Sequence, residues 1–207
     1  ADEQIAGAEK AAKLDGRNTY RFFDQQMNLA MLRYVQTRDA LRLALERKEF
    51  ELHFQPQVDL RTGKVSAAEA LLRCNRPGHG MVLPAHFVPV AEESGLIVPL
   101  GEWVLSEACR QAAMWRDAGW ADAVVAVNLS GAQFRHGQLE ESVFAALQDS
   151  GLEPARLELE LTESILMREV DVVMVTLRRL KARGLRLSID DFGTGYSSLS
   201  YLKRFHV

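Results

Sequence analysis

The stretch Leu-Glu-Leu-Glu-Leu-Thr-Glu at residues 157–163 decides the fold, because its apolar and polar side chains alternate with a period of two. Such alternation is typical of a β-strand whose leucines face a core and whose polar side chains face the other way. The same pattern recurs at residues 185–190 and, more briefly, at residues 125–128. We therefore predict three strands that carry, at or near their carboxyl ends, Asn128, Glu160 and Asp190.

These polar residues recur at nearly constant spacing, since Asn128 to Glu160 is 32 residues (160 − 128) and Glu160 to Asp190 is 30 (190 − 160). An eight-unit α/β barrel of roughly 250 residues uses about 31 residues for each strand-and-helix unit. Helical patterns lie between the strands, which favours a parallel α/β architecture. A further strand over residues 65–72 carries Glu69. We predict a TIM-like (β/α) barrel in which all four side chains form one ring at the carboxyl ends of the strands.

The ring also predicts chemistry. Clustered carboxylates repel each other and are costly to bury unless a cation compensates, and a hard divalent metal with oxygen ligands does so directly. The pattern therefore indicates a metal-dependent enzyme. By the same alternation Glu158 and Arg186 face inward on neighbouring strands, and we expect them to pair or to hydrogen-bond polar neighbours such as Ser188.

Composition excludes several classes of protein. The chain has 207 residues, is 47% hydrophobic and 26% charged, and carries a formal charge of −3. That charge argues against a duplex nucleic-acid binder, which needs a basic surface. No apolar run reaches the roughly 18–20 residues of a membrane span, so we expect a cytoplasmic location, with any membrane tether of the complete protein outside this chain. Cys74 and Cys109 fit no metal or redox motif and are predicted to be buried thiols.

The chain divides into three parts. Residues 1–23 contain a helix-prone stretch, a turn and a short strand, too little to bury a core. Residues 24–48 carry apolar positions at helical spacing and are predicted to form a linker helix. Residues 49–207 hold the alternating elements, with about five strands where a closed barrel has eight. We therefore expect the chain to end inside the barrel.

Five motifs in order give a family resemblance. They are Gln55-Pro56, Glu69-Ala70-Leu71-Leu72-Arg73, Asn128-Leu129-Ser130, Glu160-Leu161-Thr162-Glu163 and the run of residues 190–199 that begins Asp190-Asp191-Phe192-Gly193. Together they resemble the EAL-domain family of cyclic-di-GMP phosphodiesterases, from about Leu41 to the C-terminus. Residues 1–23 are similar to the end of a GGDEF (diguanylate cyclase) domain but lack its cyclase signature, so this chain is not expected to synthesise cyclic di-GMP.

The resemblance implies hydrolysis of one phosphodiester bond of cyclic di-GMP to the linear dinucleotide, with Mg²⁺ or Mn²⁺ at a two-metal site. It implies that the first metal is held by Glu69, Asn128, Glu160 and Asp190, and that Asp190 and Asp191 bind the second. Catalysis would then depend on Glu69, Asp190 and Asp191.

Other residues resemble substrate and structural positions of the family. Gln55, Arg73 and Pro89 are implied to contact the nucleotide, with Glu92 in the same stretch as Pro89. Glu163 is implied to stabilise the loop after Asp191, and it also suits the N-terminus of a following helix. The family further implies a homodimer formed through the EAL domain.

The sequence departs from the family pattern at two points, and these change what we expect of the site and of its activity. Cys74 stands where an aromatic residue commonly follows the Leu-Leu-Arg run, and we expect it to loosen the rim of the site. The strands that carry the family's catalytic lysine and further substrate contacts have no counterpart before residue 207, so this chain alone is expected to be inactive while the full-length protein is active. The alternatives are a cyclic-di-GMP receptor that does not cleave the nucleotide, and a regulatory or dimerisation module.

Overall fold

The computed structural model describes residues 25–78, 80–135, 138–168 and 170–190. The part at residues 1–23 and the predicted ligand Asp191 therefore lie outside the described residues. The elements follow one another as α1 (Gln25–Arg47), β1 (Phe50–Val58), β2 (Val65–Arg76), β3 (Gly80–Val82), α2 (Pro84–Ser94), α3 (Ile97–Asp117), β4 (Val124–Asn128), α4 (Gly131–Arg135), α5 (Leu139–Ser150), β5 (Leu157–Thr162), α6 (Glu163–Arg168), α7 (Val170–Ala182) and β6 (Arg186–Asp190), with a 3-10 turn at Pro154–Arg156.

The strands form one sheet in the order β1, β2, β4, β5, β6, and the short β3 pairs with β2. Strands β2, β4, β5 and β6 are parallel, whereas β1 and β3 run antiparallel to β2. Parallel neighbours need a crossover connection, and helices lie in each of the three connections here. The predicted alternation of parallel strands with helices is therefore confirmed.

Alternation along the strands separates a face covered by helices from an inner face. On β5, Leu157, Leu159 and Leu161 are at most 2% exposed and belong to the main core cluster. Helices α3, α5 and α7 fill the other side of that cluster with Leu105, Ala108, Ala112, Val143, Leu147, Leu177 and Leu180. The core thus lies between the sheet and its helices, and the inner face is left to the polar side chains.

Helix α1 occupies most of the range predicted to be helical, and only its C-terminal half is buried. Leu41 and Ala44 are 4% and 0% exposed and join a second core cluster, whereas Leu29 and Leu32 are half-exposed. The role of α1 as a linker between domains stays a prediction. None of the described helices is both long and apolar enough to cross a membrane.

The two cysteines are free and buried, as the sequence predicts. Burial raises the pKa of the Cys109 thiol to about 12. Cys74 packs in the second core cluster with Phe50 and Phe87, and it is 1% exposed. The expectation that Cys74 loosens the rim is therefore wrong, because its side chain lies on the helix side of the sheet rather than on the inner face.

Two connections of the sheet contain short elements in addition to their main helices. The Pro- and Gly-rich stretch before α2 contains β3, which pairs with the last three residues of β2 and satisfies their backbone groups. Gly78 and Gly80 flank this turn with φ of 78° and 73°, a conformation that favours glycine. The connection after β4 also contains two helices, the short α4 and the longer α5.

Candidate active site

The four ring residues lie on four neighbouring parallel strands, on the inner face of the sheet. Glu69 is on β2, Asn128 on β4, Glu160 on β5 and Asp190 on β6. Asn128 is in register with Glu160, and Asp190 is in register with Thr162, two residues beyond Glu160. The Nδ2 atom of Asn128 donates a hydrogen bond of 2.7 Å to Oε1 of Glu69. The four side chains are therefore brought to one face of the sheet. The expectation of a carboxyl-end position is wrong for Glu69, because β2 continues seven residues beyond it to Arg76.

Glu160 is the buried member of this group, at 9% exposure. Its pKa is raised from 4.5 to about 7, first by burial and then by the charges of Glu69, Glu158 and Asp190, while a hydrogen bond from Gln57 lowers it. The negative charges of Glu69, Glu158 and Asp190 therefore all disfavour ionisation of the Glu160 carboxyl. A cation placed among them would relieve that repulsion.

The chemistry of these donors fits a hard divalent metal, which prefers carboxylate and amide oxygens. Because Nδ2 of Asn128 is engaged by Glu69, its Oδ1 atom is the one left for a cation. Among the described residues, no three His, Cys, Asp or Glu side chains stand ready to hold a metal ion. The carboxylates of Glu69, Glu160 and Asp190 all lie in the described part, so they share one face of the sheet but are not gathered closely enough to hold an ion together.

The predicted substrate contacts are placed on three different elements. Gln55 on β1 is in register with Glu69, exposed and on the inner face. Arg73 on β2 is half-buried, and its Nη1 atom donates to the carbonyl oxygen of Leu72 at 2.9 Å. Pro89 is exposed within α2. Glu163, predicted to stabilise a loop, is the half-buried first residue of α6.

The expected pairing of Glu158 with Arg186 is wrong. The two residues are in register on β5 and β6, but no ion pair or hydrogen bond joins their side chains in the described part of the chain. Arg186 is exposed, and Ser188 Oγ is buried without a hydrogen-bond partner among the described residues. Arg186 lies on the edge strand of the described sheet, where solvent reaches it, so burial does not force it to pair.

A polar corner beside Asn128 was not found from the sequence, apart from the mention of Glu92. Ser130, two residues after Asn128, donates through Oγ to Glu92 at 2.6 Å. Its backbone N–H donates to Oε1 of Gln133 at 2.8 Å, and Gln133 is only 7% exposed. The burial of Gln133 is a property of the folded structure, so no sequence pattern indicated this support for the β4 loop.

Gly101 on α3 is the position on which this corner depends. A Cβ atom there would lie 2.2 Å from Nε2 and 2.8 Å from Cδ of Gln133. We expect Gly101→Ala to destabilise the protein, because overpacking costs roughly 1–3 kcal/mol and outweighs the gain of about 1 kcal/mol from replacing glycine within a helix. Gly131→Ala is the matched control, since its Cβ would meet Ile165 at an ordinary 3.6 Å. Denaturant unfolding of both variants measures this, and equal stabilities would contradict it.

The fold and the oxygen donors on the inner face of its parallel strands define a class of protein. Comparison with known families identifies that class. The family model described as EAL domain matches residues 38–207. The chain therefore belongs to the EAL family, and its mixed α/β structure with a parallel sheet is that of an EAL-type, TIM-like barrel. The resemblance drawn from the five motifs is confirmed.

Two curated proteins show which kinds of family member this chain is similar to. The chain is 52% identical over 193 residues to the bifunctional diguanylate cyclase/cyclic di-GMP phosphodiesterase MucR of Pseudomonas aeruginosa, covering 93% of this chain and 28% of MucR. It is 42% identical over 193 residues to the cyclic di-GMP phosphodiesterase NbdA of the same organism, covering 93% of this chain and 25% of NbdA. The chain thus spans about a quarter of the length of these curated relatives.

A solved structure gives the same result for the fold. The structure of the PaMucR phosphodiesterase in its c-di-GMP complex superposes with a TM-score of 0.78 at 54% sequence identity, covering 82% of this chain and 68% of that one. The bound nucleotide belongs to that structure.

Proposed function

We propose that the protein carrying this chain hydrolyses one phosphodiester bond of cyclic di-GMP and releases the linear dinucleotide, with Mg²⁺ or Mn²⁺ as cofactor. The observation that carries the proposal is the placement of Glu69, Asn128, Glu160 and Asp190 on one face of four neighbouring parallel strands, the last three at or near the carboxyl ends of their strands. The named relatives that are cyclic di-GMP phosphodiesterases support it.

In this proposal, Glu69, Asn128, Glu160 and Asp190 hold a first metal, and Asp190 with Asp191 holds a second. Bound there, the metals would polarise the phosphoryl oxygens and make a water molecule more acidic. The hydrogen bond between Asn128 and Glu69 fixes both side chains relative to each other before the substrate arrives.

The substrate is held by other residues. The forked guanidinium of Arg73 suits a phosphate group, and its position on β2 lies four residues beyond Glu69. Gln55 is directly opposite Glu69 in the register of β1 and β2, so its amide lies beside the ring. Pro89 contributes an apolar contact to the nucleotide, and Glu163 supports the loop after Asp191.

A turnover assay on the full-length protein tests the proposal. We expect cyclic di-GMP to be converted to the linear dinucleotide with Mn²⁺ or Mg²⁺, and EDTA to stop the reaction. Isothermal titration with the nucleotide distinguishes the other outcomes. Tight binding without turnover would indicate a receptor, and neither binding nor turnover would indicate a regulatory or dimerisation module.

The oligomeric state and the compartment stay predictions. The homodimer implied by the family is checked by sedimentation of the full-length protein at several concentrations. The cytoplasmic location is checked by fractionation of cells that express it.

A further inference from the structure

Gln57 occupies an unusual place for a residue outside the predicted site. It lies near the end of β1, on the inner face, opposite Ala67 of β2. The register of the β1–β2 pair shifts between Gln57 and Val58. Such an irregularity re-aims a side chain relative to a regular strand.

The side chain of Gln57 reaches across the inner face to a different strand. Its Nε2 atom lies 3.4 Å from Oε1 of Glu160 on β5, although β2 and β4 stand between the two strands. The strands between them carry small side chains on the inner face. Ala67 on β2 is in register with Gln57, and Ala67 and Ala126 on β4 are 6% and 0% exposed and belong to neither helix-side core cluster.

This contact decides how the Glu160 carboxylate is oriented. Gln57 is the one side chain among the described residues that hydrogen-bonds to it. Ser188, its neighbour in register on β6, gives it no hydrogen bond. With Oε1 engaged by Gln57, Oε2 of the carboxylate is left for another partner.

We propose that Gln57 is a positioning residue of the metal site: by donating to Oε1 of Glu160 it orients that carboxylate for a divalent cation. The inference rests on the proposed function in one respect, the assignment of Glu160 as a metal ligand. Residues that hydrogen-bond a ligating side chain typically change metal affinity by about 10–100-fold when mutated. At 3.4 Å the hydrogen bond is long, so the lower end of that range applies.

The experiment measures Mn²⁺ binding to the full-length protein by isothermal titration, without nucleotide. Gln57→Met keeps the size and the stem of the side chain but removes the amide. Gln57→Asn keeps the amide but is one methylene shorter and falls out of reach of Glu160. Gln148→Met is the matched control, because Gln148 is exposed on α5, away from the inner face.

We expect both Gln57 variants to bind Mn²⁺ about 10-fold more weakly, with unchanged metal-free melting temperatures, while the control binds as wild type does. At saturating Mn²⁺, the KM for cyclic di-GMP should equal that of wild type. The Asn variant keeps the result interpretable if the Met variant does not fold, and a role limited to polarity would leave the Asn variant at wild-type affinity.

Three results would overturn the inference: unchanged Mn²⁺ affinity in both variants, a raised KM with unchanged Mn²⁺ affinity, or no Mn²⁺ binding by the wild type. The second result would place Gln57 against the nucleotide instead. Failure of the proposed function is distinguishable, because a wild type that binds Mn²⁺ without hydrolysing cyclic di-GMP refutes the hydrolase while the binding comparison still decides the role of Gln57.

Discussion

Asp190→Asn is expected to abolish hydrolysis of cyclic di-GMP by the full-length protein. Asp190 is the last residue of β6 and lies on the inner face. Its negative charge raises the pKa of Glu160 on the neighbouring strand β5. In the proposed site it is the carboxylate shared between both metal positions, so the substitution removes charge from both at once. Loss of such a direct ligand should exceed the roughly 10–100-fold effect typical of outer-shell changes. Steady-state rates with Mg²⁺ and with Mn²⁺ measure it.

Glu163→Gln provides the comparison for that experiment. Glu163 is a half-buried residue at the first position of α6, and its proposed role is to support a loop rather than to hold a metal. We expect a smaller loss of activity and an unchanged dependence on metal concentration. Near wild-type turnover of the Asp190 variant with Mg²⁺ would show that the two-metal assignment is wrong.

The placement of the ring could be predicted from sequence because it depends on a period of two and on a repeat length. Alternation puts Glu160 opposite the buried leucines of β5, and the spacing of about one strand-and-helix unit puts Asn128, Glu160 and Asp190 on successive parallel strands. Both signals are local or regular, so no tertiary contact had to be known.

The contacts that support the ring could not be predicted in the same way. Gln57 meets Glu160 across 103 positions of sequence and two intervening strands. Gln133 fits its corner only because Gly101, on another helix, lacks a side chain. Each arrangement depends on the shape of three elements at once, and neither leaves a periodic pattern.

The facing of Cys74 was missed for a simpler reason, since β2 continues to Arg76 and alternation along it turns Cys74 toward the helices.

Glu160→Gln is expected to have opposite effects on stability and activity. The folded-state pKa of Glu160 is about 7 against 4.5 as the usual value, first because of burial and then because of Glu69. The folded protein therefore binds this proton more tightly than the unfolded chain, and the free energy of unfolding falls as pH rises from about 4.5 to about 7. Below that window the carboxyl is protonated in both states and no penalty exists. Above it, the full penalty is at most about 3 kcal/mol.

Glutamine does not ionise, so the free energy of unfolding of the Glu160→Gln variant should not fall over this pH range. Thermal melts of the metal-free full-length protein in EDTA should show similar stability at pH 5 and a more stable variant at pH 8. Glu141 is exposed on α5, so the control variant Glu141→Gln should have the stability of the wild type at both pH 5 and pH 8. The same pH dependence in wild type and in the Glu160 variant would mean that Glu160 is not the source of the fall.

Mn²⁺ should then reverse the order of stability at pH 8. A ligand that binds only the folded state stabilises it by about 4.1 kcal/mol at 1,000 times its dissociation constant. At that Mn²⁺ concentration we expect the wild type to gain more than the penalty of about 3 kcal/mol, while the variant gains little. Turnover should be lost in the variant at every pH, because the substituted amide no longer supplies a charged oxygen. A buried carboxylate that weakens the metal-free fold is thus explained by the cation it is proposed to hold, since repulsion among Glu69, Glu160 and Asp190 becomes attraction once a divalent charge lies between them.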